Sequence, residues 1–128
     1  MDNIKIEGTG HAPEVILDFQ NHSFSLRGMS YLEDVKSFYT PILEQLEAHM
    51  SALDGADITF TVDLNYLNSS SARIMLRLFD LMDATAERGN VVSVVWRHAD
   101  DDDSMEEQGE EFGEDLVHAD FKLEAFKA

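Results

Sequence analysis

Residues 58–88 constrain the fold more than any other stretch. Apolar residues first occur there at every second position and then recur at the spacing of a helix. Four apolar side chains alternate with polar ones, as in a strand with one buried face: Ile58, Phe60, Val62 and Leu64. After a polar turn, apolar residues recur at helical spacing to the end of the stretch. A strand followed directly by a long helix predicts a parallel crossover unit.

The same spacing of apolar residues predicts the strands and the helix of the N-terminal half. Residues 1–13 predict an arm or a short edge strand, and residues 14–28 predict a hairpin. A helix is expected from Ser30, which has Glu33 three residues later as in a capping box. Pro41 inside this helix predicts a kink or a restart.

In the C-terminal half, residues 91–96 predict a buried strand, and an acidic loop is expected next: Asp100, Asp101, Asp102 and Asp103. A marginal helix interrupted by Gly109 and Gly113 follows, and a last short strand begins near Phe121. The predicted order is β-β-α-β-α-β-α-β. We therefore expect an α/β fold over residues 1–128, as one domain with a mixed sheet of about five strands and helices mainly on one face.

The composition excludes some classes of binding partner. The chain has 26 acidic and 9 basic residues and a formal net charge of -17, which repels nucleic acids and anionic membranes and favours protein partners. It has no cysteine, no signal-like start and no apolar run of membrane-spanning length, so a soluble cytoplasmic protein is expected.

No catalytic, metal-binding or cofactor motif is present, so an enzyme, a metal or a cofactor is not expected. The acidic run lacks the glycine of a calcium loop. It therefore indicates a solvated loop or a contact for a basic partner. An enzyme using carboxylates such as Asp63 and Asp80 stays as a remote alternative, and it would need a polar cleft.

The turn between the central strand and helix holds the most chemistry. It contains four consecutive polar residues, Asn68, Ser69, Ser70 and Ser71. One of them, with Asn68 favoured, can cap the helix, which leaves hydroxyls free. An exposed serine in a first helical turn suits a phosphoryl group, because free amides and the helix dipole stabilise its charge there.

A helical wheel divides the long helix into two sides. The core-facing arc holds Ile74, Met75, Leu78, Leu81, Met82 and Thr85. Leu76 falls on the polar side near Ser69, with Ala72, Phe79 and Asp83 at the rim. This apolar group beside a serine predicts either a partner-binding patch or a scattered surface leucine.

Five short motifs, in order along the chain, carry a resemblance to a known family. They are Gly8-Thr9 with Pro13-Glu14, Gly28-Met29-Ser30-Tyr31, Tyr66-Leu67-Asn68-Ser69-Ser70-Ser71, Trp96 with the acidic run, and Glu110-Glu111-Phe112-Gly113-Glu114-Asp115. Nearly the whole chain resembles the SiaC family of bacterial regulatory phosphoproteins, whose fold is similar to the STAS domains of anti-sigma factor antagonists.

The resemblance implies a partner switch. The acceptor would be Ser69, phosphorylated by an anti-sigma-factor-type Ser/Thr kinase and dephosphorylated by a PP2C-type phosphatase. The unphosphorylated form would bind and activate a diguanylate cyclase, which raises cyclic di-GMP and promotes biofilm. The alternative is an anti-sigma factor antagonist that binds an anti-sigma factor kinase.

This chain has serine where the family acceptor is threonine, so Ser70 is an alternative acceptor. Asn68, Ser70, Ser71 and Arg73 are expected to support the phosphosite. Arg73 can pair with the phosphate from four residues away. The expected partner surface comprises Tyr66, Leu67, Ala72, Leu76, Phe79 and Asp80.

Overall fold

The computed structural model describes residues 2–128 and contains six strands and three helices. They are β1 Ile4–Ile6, β2 Glu14–Asp18, β3 Ser23–Ser30, α1 Val35–Ser51, β4 Asp57–Leu67, α2 Ser69–Glu87, β5 Val91–Ala99, α3 Asp103–Glu114 and β6 Asp120–Phe126. The α/β class and the mixed sheet are confirmed. The expected number of strands was one too low, because the N-terminal arm forms β1 by pairing antiparallel with β2.

The sheet has the strand order β1-β2-β3-β4-β5-β6, so each strand lies beside its neighbour in sequence. The first three strands are antiparallel, and β3 to β6 are parallel, with one helix crossing over between each successive parallel pair. Parallel strands end at the same edge of a sheet. The carboxyl end of β3 therefore lies beside the carboxyl end of β4, where α2 begins.

The helices cover one face of the sheet, as the alternation in β4 predicts. Its alternating apolar side chains, from Ile58 to Leu64, are at most 2% exposed, whereas the polar ones between them are partly or fully exposed. The largest fully buried side chains are Trp96, Tyr39, Phe24 and Phe60. No helix within residues 2–128 is long and apolar enough to span a bilayer.

The start of α1 differs from the prediction. Asp34, not Ser30, caps this helix, and its Oδ1 accepts a hydrogen bond from the Ser37 amide at 3.1 Å. Ser30 is the last residue of β3 and is fully buried. The hydroxyl therefore serves a tertiary contact instead of a cap, and the helix runs through Pro41 without restarting.

Helix α3 is continuous through Gly109 and Gly113, so the expected interruptions were wrong. A Cβ added at Gly109 would lie 2.4 Å from Trp96 Cδ1, and one at Gly113 would lie 2.4 Å from a Phe121 ring carbon. The two glycines therefore allow α3 to approach the sheet closely. Close approach also places Trp96 Nε1 at 2.9 Å from the Met105 carbonyl, to which it donates.

Two acidic residues fix the C-terminal segment. Asp102 caps α3 by accepting from the Met105 amide at 3.1 Å, so the expected loop ends in a helix start. Asp83 Oδ1 accepts from the backbone amides of residues 117–119 at 2.7–3.0 Å. Burial acts to raise the pKa of Asp83, but these three hydrogen bonds outweigh it and lower that pKa.

Candidate functional site

The junction between β4 and α2 is held by Asn68. This residue is the N-cap of α2, with φ -84° and ψ 174°, and its Oδ1 accepts from the Ser71 amide at 3.0 Å. Its Nδ2 donates to the Leu32 carbonyl, and its backbone amide donates to the Ser30 carbonyl, both at 3.0 Å. One side chain therefore joins the start of α2 to the segment that leads into α1.

The three serines after this cap occupy different environments. Ser69, the first residue of α2, is exposed, whereas Ser70 is half-buried at the edge of a groove. Ser71 is 1% exposed. A partner enzyme can therefore reach Ser69 most readily, and Ser71 is inaccessible in the folded protein.

Ser71 belongs to a buried chain of hydroxyl groups. Its Oγ donates to the Ser30 carbonyl at 3.0 Å and lies 2.7 Å from Ser30 Oγ. Each hydroxyl has one proton, so Ser30 donates to Ser71 and accepts from Tyr39 Oη, which is 2.7 Å away. Burial raises the pKa of Tyr39 to about 12.

Ser70 lines an open groove of about 350 Å³ between the first turns of α1 and α2. The other lining residues are Val35, Lys36, Arg73, Ile74 and Arg77. Three of these six residues are cationic in a chain with nine basic residues. The surroundings of the serines are therefore locally positive, in contrast to the chain as a whole.

Four of the six residues expected to form a partner surface are accessible. Leu76 is 44% exposed and Tyr66 is 46% exposed. Asp80 is exposed, and Ala72 is half-buried. Leu76 on α2 and Tyr66 at the end of β4 are therefore both available to a partner.

The other two, Leu67 and Phe79, are 7% and 2% exposed, so their expected placement on this surface was wrong. The Phe79 ring centroid lies 5.5 Å from that of Phe112 and 6.2 Å from that of Phe121. Helix α3 and strand β6 therefore cover the rim of α2, and a wheel drawn for one helix cannot show this tertiary contact.

Sequence reasoning missed Tyr31 as part of this surface. It is 50% exposed, and its ring centroid lies 5.8 Å from that of Tyr66 and 6.4 Å from that of His11. The family motif contains Tyr31, but no periodic pattern distinguishes an exposed aromatic residue from a buried one in a loop. Only the pairing of β3 with β4 brings the two tyrosines together.

The carboxylates considered for an enzyme do not converge. Asp63 lies on the face of β4 away from the helices and forms ion pairs with Arg97 at 2.8 Å and Arg27 at 3.5 Å. Asp80 is exposed on α2, which packs on the opposite face of the sheet. Asp63 is therefore committed to surface ion pairs, and the two carboxylates do not share a cleft.

Comparison with known proteins gives a consistent result. The family model of SiaC family regulatory phosphoproteins matches residues 6–126. An uncharacterised protein of Pseudomonas aeruginosa (strain UCBPP-PA14) is 29% identical over 116 residues, which is 90% of each chain.

Solved structures agree. Apo-SiaC from Pseudomonas aeruginosa is 28% identical with a TM-score of 0.86, over 98% of this chain and 100% of that one. A chain in the crystal structure of the diguanylate cyclase SiaD in complex with its activator SiaC, from the same organism, is 27% identical with a TM-score of 0.87, over 96% of this chain and 99% of that one. Since the family match spans nearly the whole sequence, the chain belongs to the SiaC family of regulatory phosphoproteins.

Proposed function

We propose that this chain is a cytoplasmic, non-enzymatic signalling switch that acts as a single domain. A Ser/Thr kinase of the anti-sigma factor type phosphorylates Ser69, and a PP2C-type phosphatase reverses the modification. The unphosphorylated form binds and activates a diguanylate cyclase. The observation that carries the proposal is the exposed Ser69 at the first position of α2, a helix that also exposes Leu76 two turns further on.

The environment of Ser69 supports a reversible phosphate. A first-turn phosphoserine carries about two negative charges near unpaired helix amides, where a negative charge is stabilised by about 0.3–1 kcal/mol. Asn68 already caps the helix, so the hydroxyl of Ser69 is not needed for capping. Modification would therefore change the surface while leaving the fold intact.

The same charge opposes binding of a partner that covers Leu76 and Tyr66. Such a partner would have to remove water from a phosphate dianion that Arg73 neutralises only in part, which costs free energy. A coupling of about 1–3 kcal/mol changes affinity by about 5- to 150-fold. The complex of the relative SiaC with a diguanylate cyclase favours a cyclase over an anti-sigma factor as the partner.

Kinase treatment followed by mass spectrometry tests the acceptor. We expect Ser69→Ala to abolish modification, and Ser70→Ala, the matched control in the same turn, to retain it. Modification of the Ser69→Ala protein at the wild-type level would refute the assignment. Persistence on Ser70 alone would move the acceptor by one residue.

Cyclase binding and cyclic di-GMP synthesis test the surface. Leu76→Asp should weaken binding and activation, whereas its effect on the thermal midpoint should be small because the side chain is 44% exposed. Phosphorylated wild-type protein should lose activation in parallel. Unchanged activation of the cyclase by the Leu76→Asp variant and by the phosphorylated protein would contradict the switch.

A further inference from the structure

Three basic residues near the serines form no ion pair with a carboxylate of residues 2–128. In residues 2–128, the side chains of Lys36, Arg73 and Arg77 lie more than 4.0 Å from every carboxylate oxygen. Four other basic residues are each paired, at distances of 2.8–3.6 Å: Lys5, Arg27, Arg97 and Lys122. The groove therefore holds three cations that are free to pair with an acidic ligand, in a chain with 26 acidic residues.

The nearest acidic residue in sequence to Lys36 is already occupied. Asp34 uses Oδ1 to accept from the Ser37 amide at 3.1 Å and Oδ2 to accept from Ser37 Oγ at 2.7 Å. These hydrogen bonds, the largest influence, lower the pKa of Asp34, and Lys36 adds a smaller effect in the same direction. Lys36 is therefore close enough to influence Asp34 but does not form an ion pair with it.

The groove also provides an apolar floor and two helix starts. Ile74 is 6% exposed and Val35 is half-buried, so their side chains can contact the methylene groups of a glutamate. Val35 is the first residue of α1, and Ser70 is the second residue of α2. Both helices therefore contribute their positive ends to the same opening as the three cations.

We propose that this groove binds an acidic segment of the protein partner, with aspartate or glutamate side chains paired to Lys36, Arg73 and Arg77. The identification of that partner as the diguanylate cyclase rests on the proposed function. A nucleic acid would meet the same cations, but its long phosphate backbone would also be repelled by the net charge of -17. A short acidic segment avoids most of that field and is therefore the favoured occupant.

The groove gives phosphorylation a second way to release the partner. A phosphate on Ser69 lies four residues before Arg73 on α2, a spacing at which side chains meet on a helix. The phosphate would pair with Arg73 and withdraw it from the acidic segment. The switch would then act by competition for a cation as well as by repulsion.

The test compares two charge reversals of equal size in the full-length protein. Arg73→Glu with Arg77→Glu removes cations of the groove, and Lys5→Glu with Lys127→Glu makes the same change in net charge at exposed sites elsewhere. Affinity for the purified cyclase is measured at 0.1 M and 1 M salt, where the Debye length is about 10 Å and about 3 Å.

We expect the groove variant to bind about tenfold or more weakly than wild type at 0.1 M salt, and the control within about twofold. The difference should shrink at 1 M salt, because screening weakens the wild-type contact. In phosphorylated protein the groove reversal should cost less than in unmodified protein. Equal binding by the groove variant and the control would overturn the proposal.

A second probe keeps this outcome separate from the proposed function. If wild-type protein does not bind the cyclase, the proposed function fails, and a fluorescein-labelled glutamate-rich peptide decides on the groove. Peptide binding lost only in the groove variant would support an acidic ligand. Absence of peptide binding, or equal affinity for a labelled DNA duplex, would refute the proposal of an acidic peptide ligand. Circular dichroism of each variant verifies that it is folded.

Discussion

Replacing Ser30 by alanine removes the central hydroxyl of the buried chain that links Tyr39, Ser30 and Ser71. Ser71 Oγ keeps its 3.0 Å hydrogen bond to the carbonyl of residue 30, so it stays satisfied. Tyr39, which is 0% exposed, loses the acceptor of its hydroxyl proton. An unsatisfied buried donor costs about 1–3 kcal/mol, and we expect Ser30→Ala to destabilise the protein by about 2 kcal/mol.

Adding Tyr39→Phe should restore part of that loss, because it deletes the donor that Ser30→Ala leaves unsatisfied. Tyr39→Phe alone should cost about 1 kcal/mol, the usual net value of one hydrogen bond. The double variant should nevertheless be more stable than Ser30→Ala by about 1 kcal/mol. For a chain of 128 residues, this difference corresponds to about 4 °C in the thermal midpoint.

Urea unfolding of the four proteins in this cycle measures the effect. An unchanged slope with a shifted midpoint would show that only stability has changed. If the double variant is as unstable as the sum of the two single variants, the two hydroxyls are not coupled. That additivity would refute the account of the loss as an unsatisfied Tyr39 hydroxyl.

Three further predictions concern packing, anchoring and pH. Gly109→Ala should cost about 1–3 kcal/mol by forcing the Trp96 indole away, whereas Gly10→Ala, with no atom within 4 Å of the added carbon, should be near neutral in the same unfolding assay. Asp83→Ala should increase hydrogen exchange at the amides of residues 117–119, and unchanged protection there would contradict its anchoring role. Because the pKa of Tyr39 is raised from 10.0 to about 12, its neutral form stabilises the fold below pH 10, and this contribution of roughly 2–3 kcal/mol is lost as the pH rises from 10 to 12. Tyr39→Phe should flatten this alkaline decline in the unfolding free energy.

Periodicity predicted the elements that bury one clear face. The alternation in β4 and the helical spacing in α2 each report a side chain's position relative to one core, so both elements follow from sequence. The cap at Asn68 follows as well, because it depends on a local side chain and an amide three residues later.

The mistaken predictions share a physical cause, which is contact between segments distant in sequence. The local sequence indicates that Ser30 is a cap, but in the fold its hydroxyl contacts Ser71, which is 41 residues away. Phe79 reads as a rim residue until Phe112 and Phe121 cover it. Gly109 reads as a helix breaker until the nearby indole shows that a side chain there would clash.

The three consecutive serines have a consequence for how a kinase chooses its target. Each residue advances about 100° around a helix, so the hydroxyls turn from solvent to the groove and then to the core. An unfolded chain or a short peptide of the same sequence would present Ser69, Ser70 and Ser71 as near-equivalent acceptors. Selectivity at this site would therefore be a property of the folded state, and a kinase that modifies only one serine would also report that the protein had folded.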